Sequence, residues 1–192
     1  MRKYNVLIVV DAQNDFITGA LANPEADKRV PNIVNLIYDY PWDLIVTTSD
    51  THYEDYLSTN EGKKLPVPHC ISGTPGHDLD PRVVEALEDL NPEVTRTINI
   101  TKGTFGSKTL VDTICDITEF YPGDEMNIVF CGFCTDICVV SNALNVKMHF
   151  ANTADIYVAE NACAGVTKES HDAAILTMQM CQIDIFEPTK LS

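Results

Sequence analysis

Three features of this 192-residue chain predict an α/β fold with three layers, α/β/α, around a central parallel sheet of about six strands. Near-continuous apolar runs such as Tyr4–Val10 and Met126–Cys131 suit strands buried on both faces. Segments of helical periodicity alternate with those runs, and this order demands a parallel sheet with helices on both sides. Reactive side chains recur at the ends of successive runs, where parallel sheets gather their ligands along one edge.

The elements follow in chain order. Tyr4–Val10 predicts the first strand, ending at Asp11-Ala-Gln-Asn-Asp-Phe16. Pro31 can open a helix reaching Tyr40, with Ile33, Leu36 and Ile37 on one stripe. Asp43–Thr48 predicts a second strand that runs into Ser49-Asp50-Thr51-His52. The stretch 53–80 is polar and rich in Gly and Pro, and a loop of that length in a compact domain is usually functional. Arg82–Leu90 reads as a short helix and Val94–Ile100 as a third strand. Lys102-Gly-Thr-Phe-Gly-Ser107 leads into a helix through Thr118. The Met126–Cys131 strand, a turn at Gly132 and a helix from Thr135 come next, with Thr135 as its cap. A strand at Ile156–Ala159, a helix over Glu169–Met180 and a last strand at Ile183–Phe186 complete one domain, 1–192.

A net charge of −15 argues against nucleic-acid or anionic-membrane partners, which need a basic face. The apolar run near the N-terminus stops at Asp11, too short for a signal peptide, and no run is long enough to span a bilayer. Seven cysteines without paired spacing fit a reducing cytoplasm.

Asp11, the pair Asp50 and His52, Lys102, and Cys138 follow four different predicted strands, or sit on the helix entered from one. A thiol, a carboxylate and an ammonium suffice for amide hydrolysis through an acyl-enzyme. Cys138 at a helix start gains thiolate character, Asp11 can take and return a proton, and Lys102 holds Asp11. Backbone N–H groups around Cys134 and at Cys138 can bind the oxyanion. Asp50 and His52, spaced i, i+2, project the same way, and His69 in Pro-Val-Pro-His69-Cys adds a third donor for zinc, iron or manganese.

Val-Asp11-Ala-Gln-Asn-Asp-Phe16, Lys102-Gly-Thr-Phe-Gly and Gly132-Phe-Cys-Thr-Asp-Ile-Cys138-Val resemble the three motifs of the isochorismatase-like cysteine hydrolases. Asn161-Ala-Cys-Ala-Gly and Glu169-Ser-His-Asp-Ala-Ala174 resemble that family's C-terminal strand, loop and helix. The resemblance implies an Asp11, Lys102, Cys138 triad and a cis peptide at Phe133–Cys134, which aims the oxyanion-hole amides. Asp-x-His followed by Pro-x-Pro-His-Cys is similar to the nicotinamidase branch, where one divalent metal, zinc first, ligates the substrate's ring nitrogen. It implies Asp50, His52 and His69 as metal ligands with Glu61 as the fourth. Ser58, where many members carry a histidine, cannot serve, and Glu54 and Asp55 are weaker alternatives. It also implies conversion of nicotinamide, or a close pyridine carboxamide, to the acid and ammonia, a place in NAD salvage, and a homo-oligomer.

Phe16 occupies the family's ring-stacking position, and Phe133 is taken as a second substrate contact. The chain departs from that pattern at Pro66 and Thr109, where members carry aromatics; Tyr53, Tyr56 and Phe105 are the candidate replacements. Two other readings compete: a related hydrolase with a different small amide substrate, and a redox-active or binding protein on the same scaffold. Cys131-x-x-Cys134-x-x-x-Cys138 as a metal cluster is disfavoured, because Cys131 ends a core strand.

Overall fold

The computed structural model describes residues 3–118, 125–187 and 189; the ends of the 1–192 domain assignment fall outside them. Six parallel strands form one sheet in the order β3-β2-β1-β4-β5-β6. They are β1 (Tyr4–Val10), β2 (Leu44–Asp50), β3 (Arg96–Lys102), β4 (Met126–Phe133), β5 (Ala154–Ala164) and β6 (Asp184–Ile185). The helices are α1 (Asn14–Ile17), α2 (Pro24–Asp39), α3 (Pro81–Glu88), α4 (Lys108–Thr118), α5 (Val140–Phe150) and α6 (Lys168–Met180). Helices α2 and α3 pack together on one face, and α4, α5 and α6 pack in series on the other. The sheet is buried between them: every residue of β2 and β4, and Val6–Val10 of β1, is covered.

The chain order reverses between β1 and β4, which lie side by side in the sheet. A crevice opens at such a switch point beyond the strand ends. Tyr4 pairs with Met126 and Val10 with Gly132, so β1 and β4 end together, and Asp11 and the Cys134–Cys138 segment emerge at the same place. Gly132 has φ +113°, and a Cβ there would lie 2.0 Å from the Val10 carbonyl oxygen. Only glycine allows the two strands to approach this closely at the crevice.

Several boundaries differ from the sequence expectation. Helix α2 begins at Pro24, capped by the Asn23 side chain accepting Glu25 N–H at 3.0 Å, and Pro31 lies inside it rather than at its start. Ala26, Val30, Ile33, Leu36 and Ile37 form a continuous buried stripe, while Pro31 and Asp27, whose carbonyl loses its partner, are exposed to water. Burial of the stripe outweighs the interior proline, whose cost is about 3 kcal/mol. Strand β5 is longer than expected because its register against β4 shifts between Phe130 and Gly132, a bulge that no hydrophobic run announces. Gly132 continues β4 instead of turning, and the nucleophile segment opens as a π-helical turn, Thr135–Val139, before α5.

Candidate active site

The end of β1 delivers Asp11, in a left-handed conformation (φ +46°) that an aspartate tolerates better than most residues. Thr48, near the end of neighbouring β2, holds it through both backbone and side chain. The Asp11 N–H donates to the Thr48 carbonyl at 3.1 Å, and the Thr48 hydroxyl donates to Asp11 Oδ1 at 2.6 Å. The other carboxylate oxygen lies 2.7 Å from Lys102 Nζ, and both side chains are buried. Lys102 is the last residue of β3, paired in register with Asp50 at the end of β2. Its ammonium therefore spans the sheet edge, donating to Cys138 Sγ at 3.5 Å and to Asp50 Oδ1 at 3.4 Å. The structure thus brings Asp11, Lys102 and Cys138 into one contact group.

Burial pushes the Asp11 carboxyl up, against the pull of Lys102. Burial also pushes the Cys138 thiol up, helped by the Asp11 carboxylate and opposed by Lys102. Lys102, although desolvated, is held protonated by Asp11, Cys138 and Asp50. Burial thus opposes the thiolate character expected of a helix start, and of the neighbouring charges only Lys102 favours the thiolate. Cys134 is pushed up to about 12, chiefly by burial.

The Phe133–Cys134 peptide is cis, as the resemblance implied. The Cys134 carbonyl accepts N–H bonds from Ile137 (3.2 Å) and Val139 (3.0 Å), the residues on either side of Cys138. Thr135 is not the side-chain cap; its hydroxyl sits 2.8 Å from His171 Nδ1 on α6, and Asp136 accepts the Val166 N–H instead. Phe133, expected against the substrate, is wholly buried in the core beneath the site. The chain surfaces only after it, so Cys134 reaches the cavity in its place.

Beside the triad, Asp50, His52, Glu61 and His69 point their donor atoms together, all within 4.8 Å of one another. His52 Nε2 lies 2.9 Å from Asp50 Oδ2 and 3.6 Å from Glu61 Oε1; His69 Nε2 lies 3.5 Å and 3.8 Å from the same two oxygens. Four ligands at about 2.1 Å around a tetrahedral cation stand about 3.4 Å apart, so these separations bracket the need. His52 Nε2 is buried without a hydrogen-bond partner, and the Val67 carbonyl at 2.8 Å from His69 Nδ1 leaves Nε2 as that residue's inward donor. Burial works against the charge on Asp50, but the two histidines and Lys102 hold its carboxyl well below the usual range. The donor set therefore fits a divalent cation. Glu54 and Asp55 are not in this cluster; they line a separate depression with Tyr53, Ile71, Ser72 and Thr74.

Cys138 and all four residues of the donor cluster line one cavity of about 920 Å³, while Asp11 and Lys102 are buried outside its lining. Of the aromatic candidates, Phe16 and Phe105 line it, with Leu21, Leu65 and Ile137 as further apolar wall. Tyr56 instead packs behind the histidines, 4.6 Å from the His52 ring and 5.1 Å from the His69 ring. Sequence reasoning missed Thr48, Leu65 and Ile137. Thr48 leaves a trace as a hydroxyl in a buried strand; the other two look like any core residue.

A parallel α/β sheet with this group at its switch point defines a hydrolase of the three-layer type. A family model described as the isochorismatase domain matches residues 5–186, and the chain belongs to that family. It is 27% identical to a nicotinamidase of Schizosaccharomyces pombe, over 96% of this chain and 94% of that protein. The fold superposes on a zinc-complexed pyrazinamidase of Pyrococcus horikoshii with TM-score 0.72 and 28% identity, covering 95% of this chain and 98% of that one. A nicotinamidase/pyrazinamidase of Acinetobacter baumanii gives TM-score 0.75 and 25% identity, covering 100% of both chains.

Proposed function

We propose that this protein is a metal-dependent cysteine amidohydrolase that converts nicotinamide, or a close pyridine carboxamide, to the acid and ammonia. One observation carries the reading: Cys138 and the four-donor cluster line the same cavity, so a ring nitrogen held at the cluster places a carboxamide at the thiol. The similarity to nicotinamidases over nearly the whole chain supports it.

In this reading Asp11 takes the Cys138 proton as sulfur attacks the amide carbon, and Lys102 stays charged throughout. The developing oxyanion meets the N–H groups of Cys134 and Cys138, a contribution of about 3 kcal/mol per donor. Asp11 then gives the proton to the departing ammonia; the same carboxylate draws a proton from the water that cleaves the thioester and returns it to the Cys138 sulfur as the C–S bond breaks. Phe16, Phe105 and Leu65 flank the ring and exclude water from it. Asp50, His52, Glu61 and His69 would hold the cation, zinc first and iron or manganese as alternatives; when bound it fixes the ring nitrogen and so orients the amide.

Metal analysis of the purified protein tests this together with a chelator titration. About one divalent ion per chain is expected, with nicotinamide turnover falling as the ion is removed and returning when zinc is restored. His52→Ala should lower kcat/KM for nicotinamide at least 10-fold more than for an amide that lacks a ring nitrogen. Full activity without stoichiometric metal would shift the assignment to a related hydrolase acting on another small amide.

We place the protein in the cytoplasm, as a single-domain homo-oligomer with a role in NAD salvage. Among the described residues no helix is long and apolar enough to cross a membrane. Light scattering at micromolar concentration tests the oligomer.

A further inference from the structure

The proposed chemistry uses the first and last residues of Asp11-Ala-Gln-Asn-Asp-Phe16 and leaves Gln13 and Asp15 without a part. Gln13 is fully buried. Its side-chain amide donates to the carbonyls of Asp50 (2.9 Å) and His77 (2.8 Å), while its oxygen accepts the Asp50 N–H at 2.7 Å. Two reciprocal bonds to one residue hold the Asp50 backbone as a further strand would.

Asp15 acts on the other side of the cluster. Its Oδ2 accepts the Cys70 N–H at 2.7 Å, immediately after His69, and its Oδ1 accepts the Ala20 N–H at 2.9 Å. Cys70 is itself in the left-handed region (φ +47°), and its carbonyl accepts the His52 N–H at 3.0 Å. One carboxylate therefore grips Cys70, whose N–H directly follows His69 and whose carbonyl holds His52. The loop returns directly onto that carboxylate, because a Cβ on Gly76 would stand 2.2 Å from Asp15 Oδ2. The Asp15 N–H also donates to the Gly76 carbonyl at 3.0 Å.

We propose that Gln13 and Asp15 are positioning residues for the cation site: through Asp50 and Cys70 they set the donor atoms of Asp50, His52 and His69 at ligating distance before any cation arrives. This rests on the reading that the cluster binds a divalent metal. Such outer-shell bonds orient ligands whose donor atoms they never touch, and their loss weakens metal affinity by roughly 10- to 100-fold. The same short segment begins with Asp11, so the proposed base and the cation site share one anchor at the end of β1.

The test measures zinc affinity of metal-stripped protein by competition with a chromophoric chelator. Asp15→Asn retains one acceptor and loses the second, and Gln13→Glu loses both donated bonds. Each should bind zinc at least 10-fold more weakly than the wild-type protein. Asn14→Ala is the control: it removes a bond from the same segment to the same loop, Asn14 Nδ2 to the Pro75 carbonyl at 2.8 Å, away from the ligand peptides. Its zinc affinity should stay within about threefold of wild type. The rate at which iodoacetamide alkylates Cys138 in the metal-free proteins, read by peptide mass spectrometry, should match wild type in all three. Wild-type zinc affinity in both Asp15→Asn and Gln13→Glu would overturn the inference, as would parallel losses of zinc affinity and Cys138 alkylation, which report collapse of the segment. Absence of zinc binding by the wild-type protein would overturn the metal reading itself and this inference with it.

Discussion

Cys138→Ala should abolish turnover of nicotinamide, whereas Cys134→Ala should retain substantial activity. Both thiols line the cavity, and burial pushes both up. The difference lies in their partners. Cys138 Sγ accepts from the Lys102 ammonium at 3.5 Å and feels the Asp11 carboxylate, while the proposed mechanism asks only a backbone N–H of Cys134. Removal of a nucleophile leaves only binding and oxyanion stabilisation, neither of which forms the acyl-enzyme. Mass spectrometry of quenched reactions should find the acyl group on Cys138 in the wild-type protein and none in Cys138→Ala. Wild-type turnover by Cys138→Ala would remove the covalent mechanism altogether.

Asp11→Asn and Lys102→Ala should each lower kcat by roughly 10²-fold or more, the scale usual for acid–base groups. The double variant should fall little further than the worse single one, because the two side chains act as a unit. With Lys102 gone, Asp11 loses the charge that opposes its burial, takes up a proton and ceases to be a base. Asp11→Asn leaves Lys102 with Asp50 at 3.4 Å, so it should disturb folding less than Lys102→Ala, which removes the ammonium partner of both Asp11 and Asp50. Thermal melts separate that loss of stability from the loss of rate. The pH profile adds a sign. Asp11 must be unprotonated to act, so kcat/KM should drop as pH falls through its pKa. Since burial raises that pKa, the acid limb should lie above the ordinary carboxylate range and disappear in Asp11→Asn. Losses that multiplied in the double variant would show that the residues work independently.

The sheet was legible because strands buried on both faces must be apolar nearly throughout, and Tyr4–Val10 and Met126–Cys131 are. With the strands parallel, their ends share an edge, so Asp11, Asp50, Lys102 and the Cys138 segment could be assigned to one site from their positions alone. The turns, caps and register were less legible. Pro31 suggests a helix start until Ala26 and Val30 are seen to bury, which depends on the sheet behind α2. The π-helical opening at Thr135 follows from two bonds to the Cys134 carbonyl, and no residue pattern encodes them.

By itself the sequence determined which groups can react and which edge they share, since both follow from residue chemistry and strand periodicity. Tertiary structure alone decided how those groups are tuned and held. The upward shift of the Cys138 thiol comes from exclusion of water, which is a property of the packed site. Thr48 on Asp11, Gln13 on Asp50 and Asp15 on the peptide beside His69 join residues 37, 37 and 55 positions apart. Polar contacts at such separations carry no period along the chain, so they exist only once β2 has paired with β1 and the 53–80 loop has folded back onto the end of β1.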